Sequence, residues 1–274
     1  MAEGFRARAG KDGLLLLEPT ILAEEGFIAA FTTRKGGWSP PPYDGLNMGF
    51  GVPDSPENVR ANRLAVLLEL GLDPSLSTAM KQVHGRRIVR VTDENAGSGG
   101  LDHGKAFPGC DGMFTQVEGA ALFATYADCV PVIIADKARK VIGAVHAGWK
   151  GTSIKAALAL AESMGFEKDR ASDFLAAVGP SIGPCCYEIG EDVASELRDA
   201  GAGIALVAAG GGKYRADLGL VNASQLLGIG FLEDNVARYE GCTSCEEELF
   251  FSHRRDRGRT GRCAAIAAVR KSDG

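Results

Sequence analysis

The chain has 274 residues, of which 45% are hydrophobic, so it is long enough to bury one large core or two small ones. Its formal net charge of -5 argues against nucleic acid or anionic lipid as a partner, since such binding draws on a surplus of Lys and Arg. Local basic character is confined to residues 254–262, which are equally well explained as a solvated loop or as an anion-binding segment.

The N-terminus carries no basic stretch followed by a long apolar run, and no segment approaches the ~20 apolar residues of a membrane helix. We therefore expect a cytoplasmic location without a membrane partner. The seven cysteines are odd in number and scattered. In a reducing compartment they are available for metal binding, catalysis or packing.

No internal repeat or low-complexity linker interrupts the sequence, which predicts a single domain over residues 1–274. Residues 31–51 are rich in Gly, Pro, Ser and Asn and predict a long loop, a kind of segment that often carries function. Residues 57–70 follow Ser55 and Pro56 with helical apolar spacing and end before a glycine, which predicts a helix.

The remaining elements mix strands and helices. Strands are predicted at residues 88–92, 121–125, 130–135, 141–145, 174–178, 249–252 and 263–269. Helical patterns occur at residues 153–164, 191–199 and 217–227. A charged turn at residues 136–140 joins two of the strands into a predicted hairpin. Because strict βαβ alternation and glycine-rich phosphate-binding motifs are both missing, the pattern favours a mixed-sheet α/β or α+β sandwich over a doubly wound nucleotide-binding fold.

Two of the four histidines, His84 and His146, lie at predicted element ends beside glycines, which allow a ligand to approach closely. Either histidine alone is equally well explained as a hydrogen-bonded structural residue. Cys129 favours a site, because the predicted hairpin places it nearly opposite His146. Two imidazoles and one thiolate suit zinc or copper, and three protein ligands leave a fourth position open for water or substrate.

Several ordered motifs carry a family resemblance. They are K-Q-V-H-G at 81–85, A-D-C-V-P at 127–131, H-A-G-W-K-G at 146–151, V-G-P-S-I-G-P-C-C-Y-E at 178–188 and F-F-S-H-R-R-D at 250–256. Supporting matches are T-T-R-K-G-G-W-S at 32–39, L-N-M-G at 46–49, N-R at 62–63 and T-G-R at 260–262. In these motifs, over nearly its full length, the chain resembles the bacterial laccase-domain family, whose members are called polyphenol oxidases, purine nucleoside phosphorylases or peptidoglycan editing factors.

The resemblance implies a single-domain α/β sandwich of mixed sheets with flanking helices and a catalytic zinc site formed by His84, Cys129 and His146. It also implies several activities: phosphorolysis of adenosine, inosine and methylthioadenosine, deamination of adenosine, and copper-dependent oxidation of phenols. A true multicopper laccase is excluded by counting, since its four coppers need many more histidines than four. A single copper would still suffice for adventitious phenol oxidation.

Physical chemistry distinguishes these activities. A zinc-bound water with its pKa lowered toward ~7 supplies a nucleophile for C6 of adenine, which accounts for deamination. Phosphorolysis needs a phosphate site and stabilisation of an oxocarbenium-like centre, tasks suited to Arg34, Arg63, Lys150 or the Arg254 region. We expect Asn47 and Arg34 to bind substrate hydroxyls or phosphate, and His253 to contact substrate at most.

Several further residues have two interpretations each. Cys185 either lines the pocket or serves as a packing residue. Cys186 is interpreted as a packing residue. Cys242 and Cys245 have metal or redox spacing, but no second C-x-x-C pair completes a four-cysteine site, which favours packing. Asp128 either orients a ligand histidine or caps its strand.

Two aromatic side chains are considered for the pocket. Trp149 and Phe250 offer flat faces for a purine or serve the core. His103 is expected to be solvated.

Two other functions remain open. One is a peptidoglycan-precursor editing amide hydrolase with the same metal residues and a wider, peptide-accommodating groove. The other is a non-catalytic ligand sensor. The sequence does not separate these from the nucleoside enzyme, which would take a purine nucleoside and phosphate as small-molecule substrates. It also leaves open the native metal and the choice between monomer and homodimer.

Overall fold

The computed structural model describes residues 4–271, which form sixteen strands and six α-helices besides short 3-10 turns. The strands are β1 (Phe5–Ala9), β2 (Leu15–Pro19), β3 (Phe27–Thr32), β4 (Thr78–Lys81), β5 (Ile88–Val91), β6 (Phe107–Pro108), β7 (Gly112–Thr115), β8 (Leu122–Tyr126), β9 (Val130–Asp136), β10 (Val141–Ala147), β11 (Phe174–Val178), β12 (Glu188–Gly190), β13 (Leu206–Gly210), β14 (Lys213–Ala216), β15 (Val236–Arg238) and β16 (Cys263–Val269). The helices are α1 (Thr20–Glu24), α2 (Pro56–Glu69), α3 (Trp149–Ser153), α4 (Ala156–Ser163), α5 (Glu191–Asp199) and α6 (Leu218–Ile229). Among these described helices, none has the length and apolar character needed to span a membrane.

The strands form two large mixed sheets and one small sheet. The seven-stranded sheet has the order β1-β2-β3-β16-β8-β4-β6, and the six-stranded sheet has the order β15-β11-β9-β10-β7-β5. Most neighbours are antiparallel, while β4 pairs in parallel with β6 and β8, β5 with β7, and β11 with β15. The three-stranded sheet β12-β14-β13 is antiparallel.

The two large sheets pack face to face. Their shared core joins Phe31 and Tyr126 of the seven-stranded sheet to Ile133 and Ile142 of the six-stranded sheet. Helix α2 covers the other face of the seven-stranded sheet, and α4 and α6 cover the other face of the six-stranded sheet. Because both faces are covered, β9 and β16 are buried at every residue. This explains their continuous apolar sequences. The predicted fold class, a mixed-sheet α/β sandwich with flanking helices, is confirmed.

The predicted helix at 57–70 and the predicted hairpin are confirmed as α2 and the antiparallel pair β9 and β10. The helix predicted at 153–164 is present as α4 but begins at Ala156, because the chain breaks at Ile154 and Lys155, and Lys155 takes a left-handed φ of 60°. The strand predicted at 249–252 is wrong. Its apolar residues Phe250 and Phe251 are fully buried by packing in an irregular segment that joins no ladder.

Replacing Ser55 with alanine is expected to lower the free energy of unfolding by about 1 kcal/mol, because the Ser55 hydroxyl caps α2 by accepting a hydrogen bond from the N–H of Glu57 at 3.2 Å. Equilibrium urea unfolding measures the change. The matched variant Ser55→Asp keeps an acceptor at the cap and should remain close to the wild type. An equal loss in both variants would show that capping is not the cause.

Candidate metal centre

Three elements of the fold bring His84, Cys129 and His146 together. His84 lies on the loop after β4, Cys129 immediately precedes β9, and His146 is the penultimate residue of β10. The β9 and β10 register pairs His146 with Pro131 and Ala147 with Val130, so Cys129 lies just beyond the end of the ladder. One ligand atom from each of the three side chains lies within 4.8 Å of the other two. His146 is buried, Cys129 is half-buried and His84 is exposed, so the cluster opens to solvent on the His84 side.

The donor set and the space around it fit one transition-metal ion. Two imidazole nitrogens and one thiolate are ligands that zinc and copper accept, and they leave a fourth coordination position. Space is provided by Gly148, where an added Cβ would lie 2.8 Å from Cys129 Sγ and 3.1 Å from Cδ2 of His84. A side chain at this position would crowd two of the three ligands. Only glycine lets the backbone lie this close to Cys129 and His84.

Asp111 anchors the cluster and was not identified from the sequence. Its carboxylate is fully buried and accepts hydrogen bonds from the N–H groups of Val83, His84 and Gly85 at 3.1, 2.9 and 2.7 Å. The same carboxylate lies 3.1 Å from Nδ1 of His146. One side chain thus fixes the loop that carries the first histidine and the ring orientation of the second. It leaves Nε2 of His146 as the nitrogen available to a metal.

The electrostatic environment favours a thiolate at Cys129. Burial acts to raise the pKa of this thiol, but the charge of His146 and hydrogen bonds from both histidines outweigh burial and lower the pKa to about 6. For His146, burial acts to lower the pKa, but the charge of Cys129 and the hydrogen bond to Asp111 raise it to about 9. The thiolate therefore predominates at neutral pH, and it is the form of cysteine that binds metals.

The cluster lies in the wall of a cavity of about 650 Å³, a size typical of small-molecule sites. Aromatic, cationic and imidazole side chains share its lining. The lining includes Phe50, Tyr126, Trp149, Tyr187, Arg63, Arg254, Arg262, His103 and His253. Of the residues predicted to bind substrate, the cavity therefore contains Arg63, His253 and Arg254. His103 is exposed, as expected, and also lines the cavity.

Arg63 is buried in the cavity wall. Its Nε and Nη2 donate to the Met48 carbonyl at 2.9 and 2.6 Å, and Nη1 donates to the Gly100 carbonyl at 2.7 Å. The guanidinium also stacks 4.6 Å from the ring centre of Phe50 and 4.8 Å from that of Phe123. Burial lowers its pKa to about 9, so it still carries a positive charge at neutral pH.

Arg34 and Asn47 lie outside the cavity lining. Arg34 forms an ion pair with Asp44 at 2.9 Å in a separate surface depression. Asn47 is fully buried, and its side-chain oxygen accepts from the backbone N–H of Arg262 at 2.9 Å. It therefore holds a segment that reaches the cavity without itself facing the cavity.

Lys150 and Cys185 also lie outside the cavity lining. Lys150 is exposed, with Nζ 5.5 Å from the ring centre of its neighbour Trp149. Cys185 is exposed and lies among other cysteines. Phe250, considered as a face for a purine, is fully buried in the core between the sheets.

Asp128 contacts a loop and does not orient a ligand histidine, so the first of the two roles considered for it is wrong. Its carboxylate accepts hydrogen bonds from Thr243 Oγ1 at 2.7 Å, Ser252 Oγ at 3.1 Å and the N–H of Arg254. The contact explains how the segment with His253 and Arg254 is kept at the cavity. The orienting role belongs to Asp111.

Tyr187 and Arg262 are cavity residues that the sequence did not single out individually. The Arg254 guanidinium lies 5.0 Å from the ring centre of Tyr187, and burial raises the pKa of this phenol to about 12, so it stays protonated. Arg262 donates from Nη1 to two backbone carbonyls, and burial lowers its pKa from the ordinary value. The sequence signals were present, since both residues lie within the motifs at 178–188 and 260–262.

Comparison with known proteins identifies the family. Residues 28–270 match the family model described as multi-copper polyphenol oxidoreductase laccase. The chain is 38% identical to purine nucleoside phosphorylase YlmD of Geobacillus stearothermophilus, over 90% of this chain and 91% of that protein. It is 31% identical to adenosine deaminase RL5 of an unknown prokaryotic organism, over 84% and 89% of the two chains. The crystal structure of YlmD from Geobacillus stearothermophilus superposes with a TM-score of 0.89 at 36% identity, covering 98% of this chain and 99% of that one. The chain belongs to the laccase-domain family.

Proposed function

We propose that this chain is a zinc-dependent enzyme that acts on purine nucleosides, by phosphorolysis of adenosine, inosine and methylthioadenosine and by deamination of adenosine. The observation that carries the proposal is the convergence of His84, Cys129 and His146 on a cavity that also offers aromatic and cationic side chains. The names of the relatives, purine nucleoside phosphorylase and adenosine deaminase, support the same substrate class.

In this proposal His84, Cys129 and His146 hold the zinc ion. When bound, zinc lowers the pKa of a coordinated water and polarises a substrate atom, which makes hydrolytic attack feasible at neutral pH. The protein contributes a preorganised set of ligands. The Asp111 carboxylate fixes the backbone of His84 and the ring of His146 through Nδ1, so both contacts are in place before the ion binds.

The remaining cavity residues suit a purine nucleoside and phosphate as the two substrates. Trp149 and Tyr187 present rings against which a purine packs. Arg254 and Arg262 supply positive charge for phosphate, and Arg63 adds a buried positive charge in the same lining. The protonated phenol of Tyr187 is a hydrogen-bond donor for a ribose or phosphate oxygen. His253 lies in the same lining and completes the proposed contacts.

The cavity volume favours this substrate class over the alternative of peptidoglycan-precursor editing. About 650 Å³ is suited to a nucleoside with phosphate, whereas an amide hydrolase acting on a cell-wall peptide needs an extended groove. Copper-dependent phenol oxidation uses the same ligand set, because imidazole and thiolate also accept copper.

We further propose that residues 1–274 act as one cytoplasmic domain, as a monomer or homodimer.

The test follows adenosine and inosine by chromatography, with and without phosphate, on protein of known metal content. Three preparations are compared: protein as purified, chelator-treated protein, and treated protein reloaded with zinc or copper. We expect base release that requires phosphate and conversion of adenosine to inosine that does not, both lost on chelation and restored by zinc. Stoichiometric zinc without turnover of either nucleoside would overturn the proposal. Amide cleavage of a cell-wall precursor by the same preparation would then establish the alternative.

A further inference from the structure

A second cluster of metal-ligating side chains lies apart from the three-residue centre. Cys185, Cys186, Cys242 and Cys245 place all four Sγ atoms within 4.8 Å of one another. The Sγ of Cys245 lies 3.5 Å from that of Cys185 and 3.4 Å from that of Cys186. The sequence showed only one C-x-x-C pair, and the fold supplies two further thiols from a segment about 60 residues earlier.

Backbone hydrogen bonds hold the two cysteine pairs on tight turns. In the first turn the N–H of Cys186 donates to the Gly183 carbonyl at 3.0 Å, and in the second the N–H of Cys245 donates to the Cys242 carbonyl at 3.0 Å. The N–H of Gly183 points at Cys242 Sγ at 3.2 Å and so joins the turns. Backbone N–H groups directed at sulfur stabilise thiolate ligands and fix their orientation.

We propose that these four cysteines bind one zinc ion at a structural site. Tetrahedral zinc with Zn–S bonds of ~2.3 Å places its four sulfurs ~3.8 Å apart, which agrees with the separations in this cluster. Four protein thiolates close the coordination shell and leave no position for water or substrate. The site therefore serves the fold, in contrast to the open three-residue centre.

Neither core packing nor a disulfide accounts for the cluster as well as a metal ion does. Cys185 and Cys245 are exposed and bury little apolar surface, which argues against packing. Cys245 is almost equally distant from Cys185 and Cys186, so no single pair is favoured for a disulfide. A single ion satisfies all four sulfurs together.

The ion would join a segment that leads into the cavity wall to a second segment that contacts a residue of that wall. Tyr187 directly follows Cys186 and lines the cavity. Thr243 directly follows Cys242 and donates its hydroxyl to Asp128, the neighbour of Cys129. A zinc ion at the four cysteines thus fixes the wall without touching substrate. The four-cysteine site follows from the thiol geometry alone and does not depend on the nucleoside activity.

The test measures zinc per chain by elemental analysis for wild type, Cys186→Ser and Cys245→Ser, purified without chelators. Each variant is expected to lose one zinc equivalent relative to wild type. Cys263→Ala is the matched control, since it also removes one thiol, lies buried in β16 and should keep the wild-type zinc content. Wild-type zinc content in both serine variants would overturn the proposal.

A second measurement uses the wild type alone and so does not depend on the variants folding. Native protein is alkylated before and after chelation, and modified peptides are mapped by mass spectrometry. We expect the peptides with the 185/186 pair and the 242/245 pair to become alkylated only after chelation. Alkylation of all four thiols without chelator, or a mass showing a disulfide between any two of them, would contradict the zinc site.

Discussion

Cys129→Ala protein is expected to lose metal from the three-residue centre and to turn over adenosine and inosine at least ~100-fold more slowly than wild type. Mutating a residue that only hydrogen-bonds to a metal ligand typically lowers metal affinity or activity ~10- to 100-fold, and removing a ligand itself should have at least that effect. Two histidines remain, and two neutral ligands without the thiolate bind a divalent cation weakly. The half-buried position of Cys129 just before β9 predicts that alanine leaves the fold intact. Metal content and nucleoside turnover are measured on the same preparation.

Cys263→Ala serves as the control, because this thiol is fully buried in the core and belongs to neither cysteine-containing site. It should keep both metal content and turnover. If Cys129→Ala loses its metal but retains full turnover, the three-residue centre is not the catalytic site. If the variant retains both, Cys129 is not a ligand.

The local part of the centre could be predicted because it depends on neighbouring residues. A charged turn between two apolar runs fixes the β9 and β10 hairpin, and the hairpin register brings Cys129 near His146. The same reasoning identified α2 from its cap and its apolar spacing. In each case short-range patterns and turn chemistry determine the structure.

Contacts between distant segments could not be predicted. Asp111 reaches the 83–85 loop and His146 only because β7 pairs with β10, and one aspartate before a glycine carries no periodic signal. The four-cysteine cluster likewise needs two loops separated by about 60 residues. Arg34 lies on a loop whose composition is typical of a binding segment. The composition did not reveal that the Arg34 guanidinium pairs with Asp44.

Asp111→Asn is expected to weaken zinc binding at the three-residue centre about 10- to 100-fold, since orienting partners of ligand histidines typically have effects of this size. The carboxylate oxygens of Asp111 accept from three backbone N–H groups and face His146 Nδ1. An amide keeps one acceptor oxygen and turns an N–H₂ group toward other donors, so at least one of these contacts is lost. Zinc affinity is measured by competition with a chelator of known strength.

Asp111→Ala is expected to add a loss of about 3–5 kcal/mol in the free energy of unfolding, the usual effect of removing one partner of a buried charged contact. Asp136 provides the control, because its carboxylate is also fully buried and accepts from the N–H groups of Ala138 and Arg139 at 3.1 and 3.0 Å. Asp136→Ala should lose comparable stability, and Asp136→Asn should keep wild-type zinc affinity. Equal zinc affinities for Asp111→Asn and wild type would show that Asp111 stabilises the 83–85 loop without orienting the metal ligands.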